Sequence, residues 1–323
     1  MMGLATQTRK IVKRIVFGPT DFPQQCAIGL HDPQSEVSVW MHGLGAPRDV
    51  TQNHVMACAA PFTIGIGLDG KQSGALAEST QLWLEFRERT AEGQLLVKME
   101  LQLSAVLPVG KHELYLFRVR NCRNYCLPRL RLWARYLHSA YQQWRQVPEI
   151  RMSARDTHAM VGFFACPRPV ALVSVVDGEV GNIFPMNLMG PVGNSHFSLA
   201  LNSTRPVTSL LARAGEVALS SIPFQQASLA YELAKNHKRE GVDWKRLAFG
   251  TRSSARLNLP VPEFSLRVRE MRIEAVRNMG SHTLFLARIL HDERWADGLQ
   301  FFTVHGMYQA WKQSTRTLTA SGA

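Results

Sequence analysis

Four stretches of the chain alternate apolar with polar or small residues: PFTIGIGL (61–68), GKHELYLFRV (110–119), HFSLALNS (196–203) and GSHTLFLARI (280–289). A period of two is the mark of a half-buried strand, and the Gly, Pro and Asp clusters between the runs supply turns. Two other stretches have a helical rhythm. HSAYQQWRQ (138–146) and HGMYQAWKQ (305–313) each set His, Tyr and Trp at i, i+3 and i+6. These fall on roughly one helical face, which predicts a helix packed onto a sheet through its aromatic residues. A third helix is predicted from Arg205 to Ala214. Pro206 suits the first turn, Ser203 or Thr204 the cap, and Gly215 the stop. The pattern therefore predicts a mainly β protein with helices, each half a small antiparallel barrel with a helical end.

The runs also repeat one another. GKHELYLFRV faces GSHTLFLARI with Gly, His, both Leu and Arg identical, and the two helical nonamers share five of nine positions. Phe62 stands opposite Phe197, and FPQQCAIGL (22–30) opposite CPRPVALVS (166–174) more weakly. Preserved order argues for an internal duplication. The spacing gives the second copy about 35 extra residues between Phe197 and Gly280, a surplus read as including 201–223. The expected domains are residues 1–147, a diverged copy, and 155–313, the fuller copy. A boundary lies near 146–156, and 314–323 form a flexible tail.

A length of 323 residues and 46% apolar content suit two packed cores. No run of 18 apolar residues predicts a membrane span, and the basic start shows no secretory pattern. Five scattered cysteines read as reduced thiols of a cytoplasmic protein, without zinc-site spacing, so no metal is expected. GIGLDG (65–70) spells a dinucleotide fingerprint, but Gly65 and Gly67 alternate along a strand and no helix opens after Gly70. The formal charge of +12 invites anions. Its basic residues are dispersed and lack interleaved aromatics, which argues against nucleic acid. The start of the helix at 205 is the better anion site. Free backbone amides there meet Arg205, Thr208 and Ser209 in a stretch (203–256) with nine Lys/Arg against four Asp/Glu.

The second half resembles the flavin reductase-like, FMN-binding split-barrel family. The likeness spans roughly 155–292. It rests on the order of CPRPVALVSVVDGEVGNIFPMN, the Arg-x-x-Thr helix start, AGEVALSSIP, DWKRLAFG and the Gly-x-His strand. Asn187 stands where the family has a small hydroxyl residue. The resemblance implies tandem FMN-binding split barrels forming an intrachain pseudo-dimer, in which the first copy has lost the phosphate-binding helix. It implies that Asn182, Pro185, Met186 and Asn187 line the isoalloxazine, that Thr204, Arg205, Thr208 and Ser209 hold the phosphate, and that His282 is the catalytic residue near the ring edge or the nicotinamide.

The implied activity is an NAD(P)H:flavin oxidoreductase using NADH or NADPH. FMN would be the cofactor, with FAD or riboflavin as possible substrates, and an electron-acceptor protein such as a monooxygenase a possible partner. The implied assembly is a monomer by virtue of the pseudo-dimer, or a dimer of these. A flavin-binding electron carrier reduced by a partner is the alternative.

Overall fold

The structure, a computed structural model, describes residues 25–31, 35–68, 81–89, 93–130, 132–133, 136–137 and 149–321, with side chains through Gln313 in the last helix. Strand β1 (Cys26–Leu30) precedes a sheet built from β2 (Val37–His42), β3 (Arg48–Asp49), β4 (His54–Ala59), β5 (Phe62–Leu68), β6 (Leu82–Glu88), β7 (Leu95–Val109) and β8 (His112–Asn124). Helix α1 (Ala154–Phe163) leads to the second half. That half contains β9 (Arg168–Pro169), β10 (Ala171–Asp177), β11 (Val180–Met186), β12 (Met189–Val192), β13 (His196–Asn202), α2 (Pro206–Ala214) and β14 (Glu216–Ser221). Then come α3 (Ala227–Leu233), β15 (Thr251–Ser253), β16 (Pro260–Pro262), β17 (Arg267–Asn278), β18 (His282–Arg294), β19 (Gln300–Val304) and α4 (Gly306–Ser321).

The two large sheets repeat each other strand for strand. The first has the order β3-β2-β6-β7-β8-β5-β4 and the second β11-β10-β14-β17-β18-β13-β12, which is the same path through seven antiparallel strands. Both are open, with edges β3 and β4 or β11 and β12, so each is a split barrel, as expected. The long hairpins match in detail. The β7–β8 ladder slips between Glu100/Leu101 and Leu103/Ala105, and the β17–β18 ladder between Glu270/Met271 and Ile273/Ala275, at corresponding positions. Such bulges bend a strand and sharpen its twist, so both sheets curl at the same place.

Strand order corrects two expectations. The partner of β10 is β2, not the stretch ending at Leu30; β1 instead leaves its own half and pairs with β19. The surplus also lies later than expected. The connection from β13 to β14 (203–215), which carries α2, is as long as the one from β5 to β6 (69–81), and most of the latter falls outside the described residues. The extra residues are 222–266, between β14 and β17, where the first half has only 89–94.

That insertion covers one face of the second sheet. Leu259 and Val261 pack on Ala218 and Val268, while α3 packs on Leu172, Ile183 and Phe301. The corresponding face of the first sheet carries Trp83, Glu85 and Lys98 where the second has Ala218, Ser220 and Val268. Glu85 there accepts from Trp83 Nε1 at 3.1 Å and Arg87 Nε at 3.0 Å. A polar face and an inserted cover are alternative ways of keeping an apolar sheet from water.

The cores cross the expected boundary. Phe163, Phe164, Val304, Tyr308 and Trp311 belong to the same buried cluster as Ile64, Phe86 and Phe117 of the first sheet. Helices α1 and α4 thus serve the first half although they follow it in sequence. Tyr308 and Trp311 pack inward as the aromatic face predicts, but onto the other half's sheet. Helix α4 runs on through Ser321, so 314–321 continue the helix rather than form a loose tail. The matching nonamer at 138–146 lies outside the described residues.

Between the sheets, Ala57, Val109, Leu114 and Leu116 meet Val192, Ala200, Leu284 and Leu286 in a separate apolar layer. The contacts are reciprocal. Gly110 abuts the His196 ring, and Gly280, at the matching hairpin, abuts Ala60 and Pro61. The sheets approach tightly at Gly67, where a Cβ would lie 3.1 Å from the Val192 Cα.

Candidate active site

The Asn-x-x-Pro segment ends β11, at the edge of the second sheet. Asn182 is fully buried; its Nδ2 donates to the carbonyls of Asn236 (3.2 Å) and Arg239 (2.9 Å). Its Oδ1 is buried with no hydrogen-bond partner among the described residues. An unpaired buried acceptor is costly and keeps a position open for a donor. The Pro185 carbonyl accepts from His237 Nε2 at 2.7 Å. Asn187 Nδ2 donates to Thr303 Oγ1 at 3.1 Å, and Met186 is buried in the second core.

A cleft of about 170 Å³ opens beside this segment. Pro185, Met186 and Asn187 form one wall; Tyr231 and His237 of the insertion and Gln25 of the first half face them. His237 tilts against Phe184, with ring centroids 4.8 Å apart. Burial lowers its pKa below the ordinary value, and the nearby Arg205 charge adds to the effect. The β11 edge and the start of α2 therefore meet at His237.

The start of α2 departs from expectation in its cap. The capping residue is Arg205, in extended conformation and without a side-chain cap bond; Pro206 opens the first turn, and Gly215 closes the helix at φ 67° as predicted. Asn202 organises the turn instead of Ser203 or Thr204. Its Oδ1 accepts from the Thr204 amide and hydroxyl, both at 3.0 Å, and its carbonyl accepts from Thr208 Oγ1 at 2.7 Å. Thr208 is buried, while Thr204 and Ser209 are exposed. The Arg205 guanidinium donates to Glu149, a carboxylate of the segment before α1.

His282 sits opposite Asn202 in the β13–β18 ladder, which joins it to the same end of the sheet. It is buried, and burial pulls its pKa down to about 4, so the ring is neutral near pH 7. Its Nδ1 lies 2.9 Å from Ser281 Oγ and 3.4 Å from the amide nitrogen of Ala59.

The structure thus gathers Asn182, Pro185, Met186 and Asn187 at one edge. It sets Thr204, Arg205, Thr208 and Ser209 at the helix start, and ties His282 to that start through Asn202. Sequence reading missed Asn202, Tyr231, His237 and Glu149. Asn202 had a signal, since an Asn two residues before a Thr and ahead of a helix is a turn former. His237 had none, being a lone His in an insertion without a repeat partner. The pair Cys122 and Cys126 stays free, and among the described residues no group of three or more His, Cys, Asp or Glu is placed to hold a metal ion. Among the same residues no helix is long and apolar enough to cross a membrane.

Comparison with known proteins gives a family model, the flavin reductase like domain, matching residues 163–305. Similar solved structures include an FMN-binding protein of Thermus thermophilus (24% identity, covering 40% of this chain and 71% of that one, TM-score 0.36). Another is the NADH:FAD oxidoreductase SgcE6 of Streptomyces globisporus (17%, 50% and 95%, TM-score 0.41). A third is BorF, the flavin reductase component of a bacterial two-component tryptophan halogenase (19%, 46% and 92%, TM-score 0.40). No curated protein sequence matches. Residues 163–305, in the C-terminal half of this chain, thus match the model of the flavin reductase like domain.

Proposed function

We propose that this chain is an FMN-dependent oxidoreductase in which NADH or NADPH reduces a flavin held in the cleft beside β11. The observation that carries the reading is the meeting of the β11 edge with the start of α2 at His237. The residues present fit a flavin mononucleotide. Asn182 Oδ1 keeps a buried acceptor for a ring N–H. The Pro185–Asn187 wall offers an apolar and amide surface for the ring. The positive end of α2, with Arg205, Thr204 and Ser209 beside it, suits a phosphate. Bound there, the flavin would supply the redox chemistry, accepting hydride and passing electrons to an acceptor. The protein's part is to orient the ring, hold the phosphate and place the neutral His282.

Matching strand order and matching register slips support an internal duplication, with the first half as one wall of the cleft.

The test is Arg205→Ala. Loss of a charge-assisted hydrogen bond of roughly 1.5–3 kcal/mol weakens FMN binding by about 10- to 150-fold, while riboflavin, lacking the phosphate, binds as before. Calorimetric titration with both flavins reads the difference. Equal losses would mean that Arg205 acts elsewhere.

A second reading, an electron carrier reduced by a partner protein, draws on the cleft's size. About 170 Å³ is below the roughly 300–1,000 Å³ of ordinary ligand pockets, so the Tyr231–His237 flank must move to admit a flavin, and further to admit a nicotinamide beside it. Stopped-flow reduction of the bound flavin by NADH and by NADPH separates the two. No reduction by either favours the carrier.

A further inference from the structure

The turn ahead of β18 holds hydrogen bonds that its counterpart in the first half cannot make. Ser281 joins the two halves twice. Its amide donates to the Ala60 carbonyl at 3.1 Å, and its hydroxyl oxygen accepts from the Ala60 amide at 2.9 Å. The same hydroxyl lies 2.9 Å from His282 Nδ1. Nearby, Cys58 Sγ lies 3.1 Å from the Met279 carbonyl and 3.4 Å from Ser281 Oγ.

Donors and acceptors in this chain can be assigned. A backbone amide only donates, so the Ala60 N–H takes one lone pair of Ser281 Oγ, and the Ala59 N–H aimed at His282 Nδ1, at 3.4 Å, makes that nitrogen an acceptor to which the hydroxyl can give its proton. Two donors aimed at one ring nitrogen require it to carry the lone pair, and a neutral imidazole then has its proton on Nε2. Nε2 has no hydrogen-bond partner among the described residues. In the first half the corresponding pair is Lys111 and His112, and a lysine in place of Ser281 has no acceptor oxygen to complete the relay.

We infer that Ser281 is a positioning residue: with the Ala59 and Ala60 amides of the first half, it fixes His282 as the Nε2–H tautomer, so that the ring presents a hydrogen-bond donor to the flavin site. The first half thereby contributes to the chemistry and not only to the cleft wall. A neutral imidazole N–H stabilises developing negative charge without losing its proton to solvent at ordinary pH. This role for the donor rests on the flavin-reduction reading, whereas the tautomer does not.

The experiment uses the full chain with ¹⁵N-labelled histidine, comparing wild type, Ser281→Ala and Ser281→Thr. In the wild type at pH 7, long-range ¹H–¹⁵N correlations are expected to give His282 a pyridine-type Nδ1 and a pyrrole-type Nε2. In Ser281→Ala the two shifts move toward each other as the tautomers mix; in Ser281→Thr, which keeps the hydroxyl, they stay. A wild-type His282 protonated on Nδ1, or an Ala variant with unchanged shifts, overturns the inference. Flavin reduction by NAD(P)H is expected to slow about 5- to 10-fold in Ser281→Ala, the effect of one neutral hydrogen bond, with FMN affinity kept and the rate restored by threonine. Shifts that behave as stated beside an unchanged reduction rate leave the tautomer standing and remove His282 from the reaction. If threonine fails to restore the shifts, Ser281 acts through folding alone and the positioning role is wrong.

Discussion

The clearest titrating residue in the interior is His54, which is wholly buried beside an equally buried Arg168. Its Nδ1 lies 2.9 Å from the Val50 carbonyl, which can only accept, so that nitrogen carries the proton. Its Nε2 lies 3.2 Å from Arg168 Nη1, which can only donate, so that nitrogen accepts. Protonating the ring would set two cations against each other out of water. Burial first and the Arg168 charge second pull the His54 pKa down to about 3. The folded value is below the ordinary one, so the unfolded chain binds the extra proton between them. Stability therefore rises with pH and is lost as pH falls from about 6.5 toward 3. His282, at about 4, adds to the same slope. Replacing His54 with Gln, which cannot titrate, is expected to flatten the dependence by up to about 1.4 kcal/mol per pH unit between pH 6 and 4. Denaturant unfolding at a series of pH values reads this directly, and an unchanged slope would show that His54 is not a source of it.

Among the elements, β19 and α4 show what sequence periodicity reveals and what it hides. The alternating runs at 61–68, 196–203 and 280–289 became β5, β13 and β18, and the helix with Pro206 and Gly215 became α2. Each of these signals is local: a side-chain period, a fixed φ, a positive φ. Pairing partners are not local. The run at 300–304 is buried at every position because β19 lies between β1 of one half and β9 of the other, and neither neighbour can be read from it. The candidate site divides the same way. Asn182, Pro185 and Arg205 lie in motifs, whereas His237 and Glu149 reach the site through an insertion and a linker that carry no pattern. The crossing has a measurable consequence. Trp311, 8% exposed, packs with the first sheet's core. Trp311→Ala is expected to cost about 3–5 kcal/mol. The loss of hydrogen-exchange protection should fall first on β2 and the end of β6 in the first half, where Tyr308 and Lys312 of the same helix pair with Glu36 and Glu88 lies nearby, although the substitution lies far later in sequence. Loss confined to β10–β14 would contradict the crossed packing.

At the scale of the molecule, two sheets of one topology face each other, but only one edge is furnished as a site. The position matching Pro185 in the first half is Asp49. Its carboxylate accepts from the Thr51 amide at 2.8 Å and lies 3.5 Å from Arg89 Nη2, so that edge is closed on itself by an acid. A carboxylate there repels an electron-rich ring carbonyl and a phosphate alike. The insertion that brings Tyr231 and His237 to the cleft has no counterpart between β6 and β7. The expected stoichiometry is therefore one FMN per chain, and calorimetric titration giving two equivalent sites would refute the asymmetry. The same geometry bears on the isolated second half. Residues 150–323 would keep β10–β18 but leave Leu284 and Leu286 without the first sheet. They would also leave Phe163, Tyr308 and Trp311 without the core they fill. That is far more apolar surface than a monomer ordinarily exposes. The fragment is expected to self-associate or precipitate, and co-expression with residues 1–149 to recover a soluble one-to-one complex. Size-exclusion chromatography with light scattering distinguishes the outcomes; a monodisperse fragment monomer that binds FMN with the affinity of the whole chain would show that the second half closes its own core and needs no partner sheet.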